Sequence, residues 1–228
     1  MRLSLILGVF AATILHAQEK NPASSYDYNA AFGPGFYNSN GNDFRSASGQ
    51  PGPKYWQNRA DYKLAASLND ETGEIVGSEV LTYSNNSPDA LSFLWLHIDQ
   101  NLFAKDSRGN SVIPASGSRN GARGEVFSGG HSIRSVKMVS TDKAGKTIEK
   151  DLKFVISDTR MQIMLPSDLK SGGKIAFKID FSFISPVYGS DRMGIQPTKN
   201  GKIFEVAQWF PRMCVYDDVR GWNTTPYL

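Results

Sequence analysis

Ile175-Ala-Phe-Lys-Ile-Asp-Phe-Ser-Phe183 is the stretch of this sequence that decides the fold. Isoleucine and phenylalanine occupy its odd positions, while alanine, lysine, aspartate and serine occupy the even positions. Successive side chains of a strand point to opposite faces, so this alternation predicts a strand with one buried face and one polar face. A half-buried strand of this kind is typical of an antiparallel sheet.

Other runs with the same two-residue period, or with a continuous apolar character, occur on both sides of this strand. They lie at residues 60–68, 75–83, 91–98, 133–141, 147–156, 161–165, 174–185 and 202–210. Turn signals such as Asn69-Asp-Glu-Thr-Gly73 separate them, and no window of helical length keeps a period of 3.6 residues. We therefore predict an all-β fold, either an antiparallel sandwich or a saddle-shaped sheet.

The amino-terminal residues have the layout of a secretory signal. A single positive charge at Arg2 precedes a short apolar stretch that ends at Ala17, and this stretch is too short to span a bilayer. We expect a signal peptide at residues 1–17, cleavage after Ala17, and a protein exported to the periplasm or the cell exterior. An uncleaved membrane anchor is the alternative.

The rest of the chain divides by composition into two parts. Residues 18–53 are rich in Asn, Gly, Ser, Ala and Pro with scattered aromatic side chains, which predicts an irregular arm in preference to a disordered linker. Residues 54–228 are predicted to form one β domain. The last residues, Glu205 to Leu228, are apolar and strand-like, so we expect the chain to be the front of a longer protein.

Charge and motifs exclude several classes of function. The net charge is +3, with 25 basic and 22 acidic residues and no basic cluster, so a nucleic-acid partner is not expected. His-Glu-x-x-His and Gly-x-Ser-x-Gly are both absent, and Cys214 is the single cysteine. His97 and Asp99 could share a face of a strand, but a zinc site needs at least a third ligand. The sequence therefore predicts neither catalytic residues nor metal ligands.

Three stretches together resemble the amino-terminal domain of the aminopeptidase N (membrane alanyl aminopeptidase) family of zinc metallopeptidases, in particular its exported bacterial branch. The first runs from Tyr55-Trp-Gln-Asn-Arg-Ala-Asp-Tyr-Lys63 through Ile75-Val-Gly-Ser-Glu-Val-Leu-Thr-Tyr-Ser-Asn-Asn-Ser-Pro-Asp-Ala-Leu91. The second is Leu94-Trp-Leu-His-Ile-Asp-Gln-Asn-Leu-Phe103, followed by Asp106-Ser-Arg-Gly109. The third is Ala207-Gln-Trp-Phe-Pro-Arg-Met-Cys-Val-Tyr-Asp-Asp-Val-Arg-Gly-Trp-Asn-Thr224.

The resemblance implies an all-β, antiparallel saddle-shaped β-sandwich, the amino-terminal domain of a gluzincin aminopeptidase. It also implies a catalytic domain beyond residue 228 that carries the His-Glu-x-x-His zinc helix. Zinc would then belong to the full-length parent, and none would be bound by this fragment. The implied partners are the missing catalytic domain and a peptide substrate, with no nucleic acid and no stable membrane span.

One substrate-binding residue is implied inside this chain. Gln208 matches the position at which family members place a Gln or Glu that accepts a hydrogen bond from the free α-ammonium of the substrate. On a strand, Val206, Gln208 and Phe210 would share one face. The alternative is an amide that is hydrogen-bonded within the sheet or to the next domain.

The sequence therefore supports two hypotheses about function. The first is the truncated amino-terminal domain of an exported zinc metallo-aminopeptidase-like protein, inactive alone, whose parent removes amino-terminal residues from peptides. The second is a stand-alone exported β-sandwich that binds a glycan or a protein through Trp56, Trp95 and Trp222. Trp95 lies in an apolar run, so we expect it in the core.

Overall fold

A computed structural model describes residues 41–112, 127–187 and 193–227. Residues 41–53 and residues 54–227 belong to two different compact units. The signal peptide and most of the irregular arm lie outside the described residues and stay predictions. Within 41–53, an isolated bridge joins Arg45 and Pro51, and the Asn42 side chain accepts hydrogen bonds from the backbone N–H groups of Phe44 and Arg45.

The second unit is built almost entirely of strands. Its helical segments are a 3-10 helix (Asp99–Phe103) and the α-helix α1 (Arg108–Val112). Its strands are β1 (Arg59–Leu68), β2 (Glu74–Ser84), β3 (Leu91–His97), β4 (Ser132–Thr141), β5 (Thr147–Asp151), β6 (Phe154–Ser157), β7 (Arg160–Leu169), β8 (Lys174–Ile184), β9 (Met193–Thr198), β10 (Gly201–Val206), β11 (Arg212–Met213), β12 (Tyr216–Asp217) and β13 (Gly221–Trp222).

Two larger sheets and two hairpins contain these strands. One sheet has the order β1-β2-β8-β4-β5 and the other the order β11-β3-β7-β6, while β9 pairs with β10 and β12 with β13. Every pairing is antiparallel. The prediction of an all-β antiparallel fold is confirmed.

The core contains side chains from both sheets in one buried cluster. On β8, Phe177, Ile179 and Phe181 are fully buried, as the alternation in the sequence predicts. On the four-stranded sheet, Leu94 of β3 and Ile163 of β7 are fully buried and pair across the strands. The apolar faces of the two sheets therefore cover each other, which is the arrangement of a sandwich.

The strand predicted at residues 147–156 is wrong as a single element. β5 ends at Asp151 and pairs with β4, whereas β6 begins at Phe154 and pairs with β7. The chain leaves one sheet and joins the other at Leu152, whose buried side chain belongs to the core. Strand β9 was not predicted.

The expectation that Trp95 lies in the core is also wrong. Its neighbours Leu94 and Leu96 are fully buried, so Trp95 points to the opposite face of the four-stranded sheet, where it is half-buried. There the Arg160 guanidinium lies 6.0 Å from the centre of a Trp95 ring. An apolar run does not show which of its residues face the core when both faces carry large side chains.

Glu79 is an unusual residue on the core face of β2. It is fully buried between Leu64 of β1 and Ile179 of β8, its partners in the register. Neither carboxylate oxygen has a hydrogen-bond partner among the described residues. Burial raises the pKa of this carboxyl to about 8, because the charged form would lose its hydration without compensation.

In the part of the chain that the structure describes, no helix has both the length and the apolar character needed to cross a membrane.

Candidate functional site

Gln208 lies in a tight turn between β10 and β11, which we call the Gln208 turn (residues 207–211). β10 ends at Val206, and Gln208 has a φ of +45°. The prediction of a strand that continues to Phe210 is therefore wrong. A residue in the left-handed region interrupts the alternation of a strand, so the expected shared face of Val206, Gln208 and Phe210 does not exist. Such a backbone is uncommon outside glycine and costs free energy.

The buried side-chain amide of Gln100 holds this strained backbone through hydrogen bonds. Gln100 belongs to the 3-10 helix, and only 3% of it is exposed. Its Nε2 donates to the carbonyl oxygen of Ala207 at 2.7 Å and lies 3.3 Å from that of Gln208. It is also 3.5 Å from the sulfur of Met193 on β9. One side chain therefore ties the turn to both the helix and the neighbouring hairpin.

Aromatic packing fixes the other half of the turn. The ring of Trp209 contacts Phe181 of β8 and Phe210, with centroid distances of 6.3 and 5.1 Å. Phe210 in turn packs edge-on against Tyr62 of β1 at 5.5 Å. The imidazole Nε2 of His131 lies 3.2 Å from the carbonyl oxygen of Trp209. The turn is thus seated on the five-stranded sheet.

His131 contributes to the turn as a neutral ring. Burial lowers the pKa of His131 to about 4, so the imidazole is uncharged at neutral pH. Because the carbonyl of Trp209 can only accept, Nε2 must carry the hydrogen and donate it. Nδ1 is buried as well, and the backbone of Ile98 beside the ring, like that of Trp209, opposes the lowering of the pKa by burial.

A buried carboxylate, Asp99, is paired with Arg212, the first residue after the Gln208 turn. The side chain of Asp99 is 1% exposed, and its Oδ2 accepts a hydrogen bond of 2.8 Å from Nε of Arg212. Its Oδ1 lies 4.0 Å from Nδ1 of His97, and both of these atoms lack a hydrogen-bond partner within the described ranges. Burial, and then the positive charge of Arg212, lower the pKa of His97. A neutral His97 beside the Asp99–Arg212 ion pair is therefore expected at neutral pH.

The side-chain amide of Gln208 is not engaged by the described residues around it. It is half-buried, and its amide makes no hydrogen bond to any residue that the structure describes. The backbone of Gln208, by contrast, is held through its carbonyl oxygen. A fixed backbone with an unengaged amide offers one acceptor oxygen and two donor hydrogens at a defined place.

Relief of the strain at Gln208 provides a first test of this geometry. We expect Gln208→Gly to raise the free energy of unfolding by about 1 kcal/mol, because glycine adopts a positive φ without a steric cost. Gln208→Ala keeps the Cβ atom and should give no such gain. Urea unfolding at pH 7 measures both variants. A loss of stability in the glycine variant would contradict the strained geometry.

The described residues do not form a zinc site. Within 41–112, 127–187 and 193–227, no group of three His, Cys, Asp or Glu side chains is placed to hold a metal ion. His97 and Asp99 are close together, but no third ligand joins them. Burial raises the pKa of the Cys214 thiol to about 12, so the free thiol stays protonated at neutral pH.

Sequence reasoning selected Gln208 and missed the groups that hold it. Gln100 and Asp99 follow His97 in the stretch Leu94–Phe103, which carries part of the family resemblance. Two polar residues at the end of an apolar strand are a signal for a buried polar role. Their contact with residues more than 100 positions later could not be read from that signal.

This chain shows only limited similarity to known proteins. No known sequence family and no curated protein matches this chain. A solved M1 zinc metallopeptidase from Deinococcus radiodurans, bound to a Tyr-Ser-Ala substrate, is 12% identical with a TM-score of 0.34, over 60% of this chain and 23% of that one. A two-domain M1 zinc metallopeptidase bound to L-tryptophan is 11% identical with a TM-score of 0.35, over 62% and 24%. This chain therefore spans about a quarter of the length of each.

Proposed function

We propose that this chain is the amino-terminal β domain of an exported zinc aminopeptidase-like protein and that Gln208 binds the free amino terminus of the peptide substrate. The observation that carries the proposal is the unengaged amide of Gln208 on a strained, firmly held backbone. Strained residues cluster at functional sites, where the surrounding structure holds them in place.

The chemistry of an amide suits an ammonium ligand. The Oε1 atom of Gln208 can accept a hydrogen bond from an α-ammonium, and hydrogen bonds with one charged partner are stronger than neutral ones. Half-burial removes part of the competing water. An acetylated amino terminus has lost its positive charge, so Gln208 would discriminate against it.

The resemblance of three sequence stretches to the aminopeptidase N family supports the same assignment. The proposal places the zinc and the hydrolytic residues in a catalytic domain of the longer parent, where zinc would polarise the scissile carbonyl. In this proposal the chain binds and orients the substrate through Gln208. Export through a signal peptide at residues 1–17 is part of the proposal.

Activity measurements test whether this chain binds the substrate while a separate catalytic domain hydrolyses it. The 228-residue chain alone is expected to hydrolyse no aminoacyl-p-nitroanilide, with or without added zinc. In the complete protein, Gln208→Ala should raise KM by about 10- to 100-fold, as expected for loss of a hydrogen bond to a charged group. Gln208→Glu should retain or improve KM, because a carboxylate also accepts from an ammonium.

Two results would contradict the proposal. One is zinc-dependent hydrolysis by the isolated chain, and the other is an unchanged KM in Gln208→Ala. A reading frame that encodes no metal-binding motif after Leu228 would favour the second function, a stand-alone binding module. A matched control is Gln162→Ala, which removes a half-buried glutamine from β7 of the other sheet.

A further inference from the structure

The structure contains a cavity of about 320 Å³ whose lining does not include Gln208. This volume is at the lower end of the range of about 300–1,000 Å³ for small-molecule sites. Five aromatic side chains and one carboxylate define its character: Tyr55, Trp56, Tyr62, Tyr83, Tyr216 and Asp217. All of the lining residues belong to the unit formed by residues 54–227.

Ring contacts fix the walls of this aromatic cavity. Trp56 and Tyr216 stack at a centroid distance of 5.7 Å with an interplanar angle of 27°. Trp222 lies behind them, 5.0 Å from Tyr216 and 6.1 Å from Tyr83. A ligand would therefore meet side chains that are already ordered, which lowers the entropic cost of binding.

The phenol groups of the cavity are fixed as well. The hydroxyl of Tyr62 accepts from the backbone N–H of Met213 at 2.8 Å, and that of Tyr83 accepts from Nδ2 of Asn58 at 2.8 Å. The hydroxyl of Tyr216 donates to Oδ2 of Asp89 at 2.7 Å, which places a second carboxylate behind the wall.

The electrostatic character of the cavity favours a cation. Asp217 is the charged residue of its lining, and no lysine, arginine or histidine among the described residues lines it. Arg212 is nearby in sequence, but its guanidinium is bound to Asp99. The faces of aromatic rings carry negative partial charge and attract cations. An anionic ligand would meet rings and a carboxylate without a compensating positive charge.

We propose that this aromatic cavity binds an alkylated ammonium group, of the kind found in quaternary ammonium compounds. Aromatic rings attract such a cation through their faces, and its methyl groups gain from contact with the apolar walls. Asp217 supplies the opposite charge at the edge. Burial raises the pKa of Tyr62 and of Tyr83 to about 12, so both phenol groups stay uncharged at neutral pH.

A sugar ring is less well suited to the same walls. Sugar hydroxyl groups need several free polar partners, and most of the hydrogen-bonding capacity of the Asn58 amide is already used. Its Nδ2 donates to Tyr83, and its Oδ1 accepts from the backbone N–H groups of Asn86 and Ser87. The test below nevertheless includes a sugar, so that glycan binding is a distinguishable outcome.

The decisive experiment compares choline with 3,3-dimethylbutan-1-ol, its uncharged carbon isostere. Isothermal titration calorimetry of the 228-residue chain, with sodium chloride matching the ionic strength, measures both. We expect saturable choline binding with a Kd on the order of 1 mM. The isostere should bind about 5- to 30-fold more weakly, which is the fold-change expected for loss of a cation–π attraction.

Two variants locate the binding in the cavity. Asp217→Asn keeps the oxygen that accepts from the N–H groups of Val219 and Arg220, so the turn is preserved while the charge is lost. It should weaken choline binding by about 5-fold. Asp151→Asn removes an exposed carboxylate from β5 and serves as the matched control. Trp56→Phe should also weaken binding, because phenylalanine attracts cations less than tryptophan does.

The proposal is overturned by any of three results. Equal affinity for choline and its isostere would show an apolar cavity without selection for charge. Saturable binding of methyl glucoside in place of choline would show a glycan site. Absence of saturable choline binding to the folded wild-type chain would show that the cavity takes no ammonium ligand. None of these results bears on Gln208, so the proposed function is tested separately.

Discussion

Replacement of Glu79 by glutamine is expected to stabilise the protein by several kcal/mol at pH 9 and to leave its stability nearly unchanged at pH 5. The carboxyl of Glu79 is fully buried, and both of its oxygens lack hydrogen-bond partners among the described residues. Glutamine has nearly the same shape and remains uncharged at every pH. The variant therefore removes the cost of ionisation and little else.

The direction of this pH dependence follows from the pKa of Glu79. Below the ordinary value of 4.5 the carboxyl is protonated in both the folded and the unfolded chain, so its ionisation does not affect stability there. As the pH rises from 4.5 to about 8, the unfolded chain loses the proton while the folded chain retains it, and stability falls. The full cost above pH 8 is roughly 5 kcal/mol from the pKa difference.

Urea unfolding of both proteins at pH 5 and pH 9 measures the effect. Glu74→Gln is the matched control, because Glu74 lies on the same strand but on its half-exposed outer face. The control should change stability similarly at both pH values. If Glu79→Gln failed to gain stability relative to wild type between pH 5 and pH 9, the carboxylate of Glu79 would have to be compensated by a partner.

Truncation of Phe181 is the second large effect. We expect Phe181→Ala to lower the free energy of unfolding by about 3–5 kcal/mol, the range for a fully buried phenylalanine. The ring packs against His131 and Trp209, with centroid distances of 5.4 and 6.3 Å. Its loss would remove the support beneath the Gln208 turn. Chemical denaturation followed by tryptophan fluorescence measures the stability.

Gly77 provides an internal check of this interpretation. It is paired directly with Phe181, and a Cβ atom at Gly77 would lie 2.3 Å from Cζ of that ring. Gly77→Ala alone should therefore be destabilising by about 1–3 kcal/mol through overpacking. In the Phe181→Ala background the same change should cost much less, because the ring is absent. Additive effects of the two substitutions would show that the ring does not occupy this space.

The strands were readable from the sequence where one face is buried and the other is polar. β8 shows this alternation, and the structure places Phe177, Ile179 and Phe181 in the core. β2 follows it less strictly, because Glu79 lies on its buried face and Val80 on its half-exposed face. The prediction of one strand at 147–156 failed because this extended segment is divided between two sheets. The change of pairing partner between β5 and β6 leaves no local pattern in the sequence. Strand β9 was not predicted because it contains few apolar residues.

The candidate site was only partly readable. Gln208 came from a resemblance, and its expected place on a strand was wrong because its φ of +45° depends on distant contacts. Gln100, which holds that backbone, lies more than 100 residues earlier in the chain. The aromatic cavity likewise joins residues 55–83 with residues 213–217. The sequence suggests Trp56 as part of a surface platform, whereas in the folded chain its ring stacks on Tyr216.

The amino-acid sequence by itself determined that this protein is built from antiparallel strands, because the two-residue alternation is a local property of each strand. It also determined the set of apolar residues available for the core. The tertiary structure alone decided which strands share a sheet, which polar groups are buried without partners, and where Gln208 and the aromatic rings stand. Those features arise from contacts between residues far apart in the chain, and no local pattern encodes them.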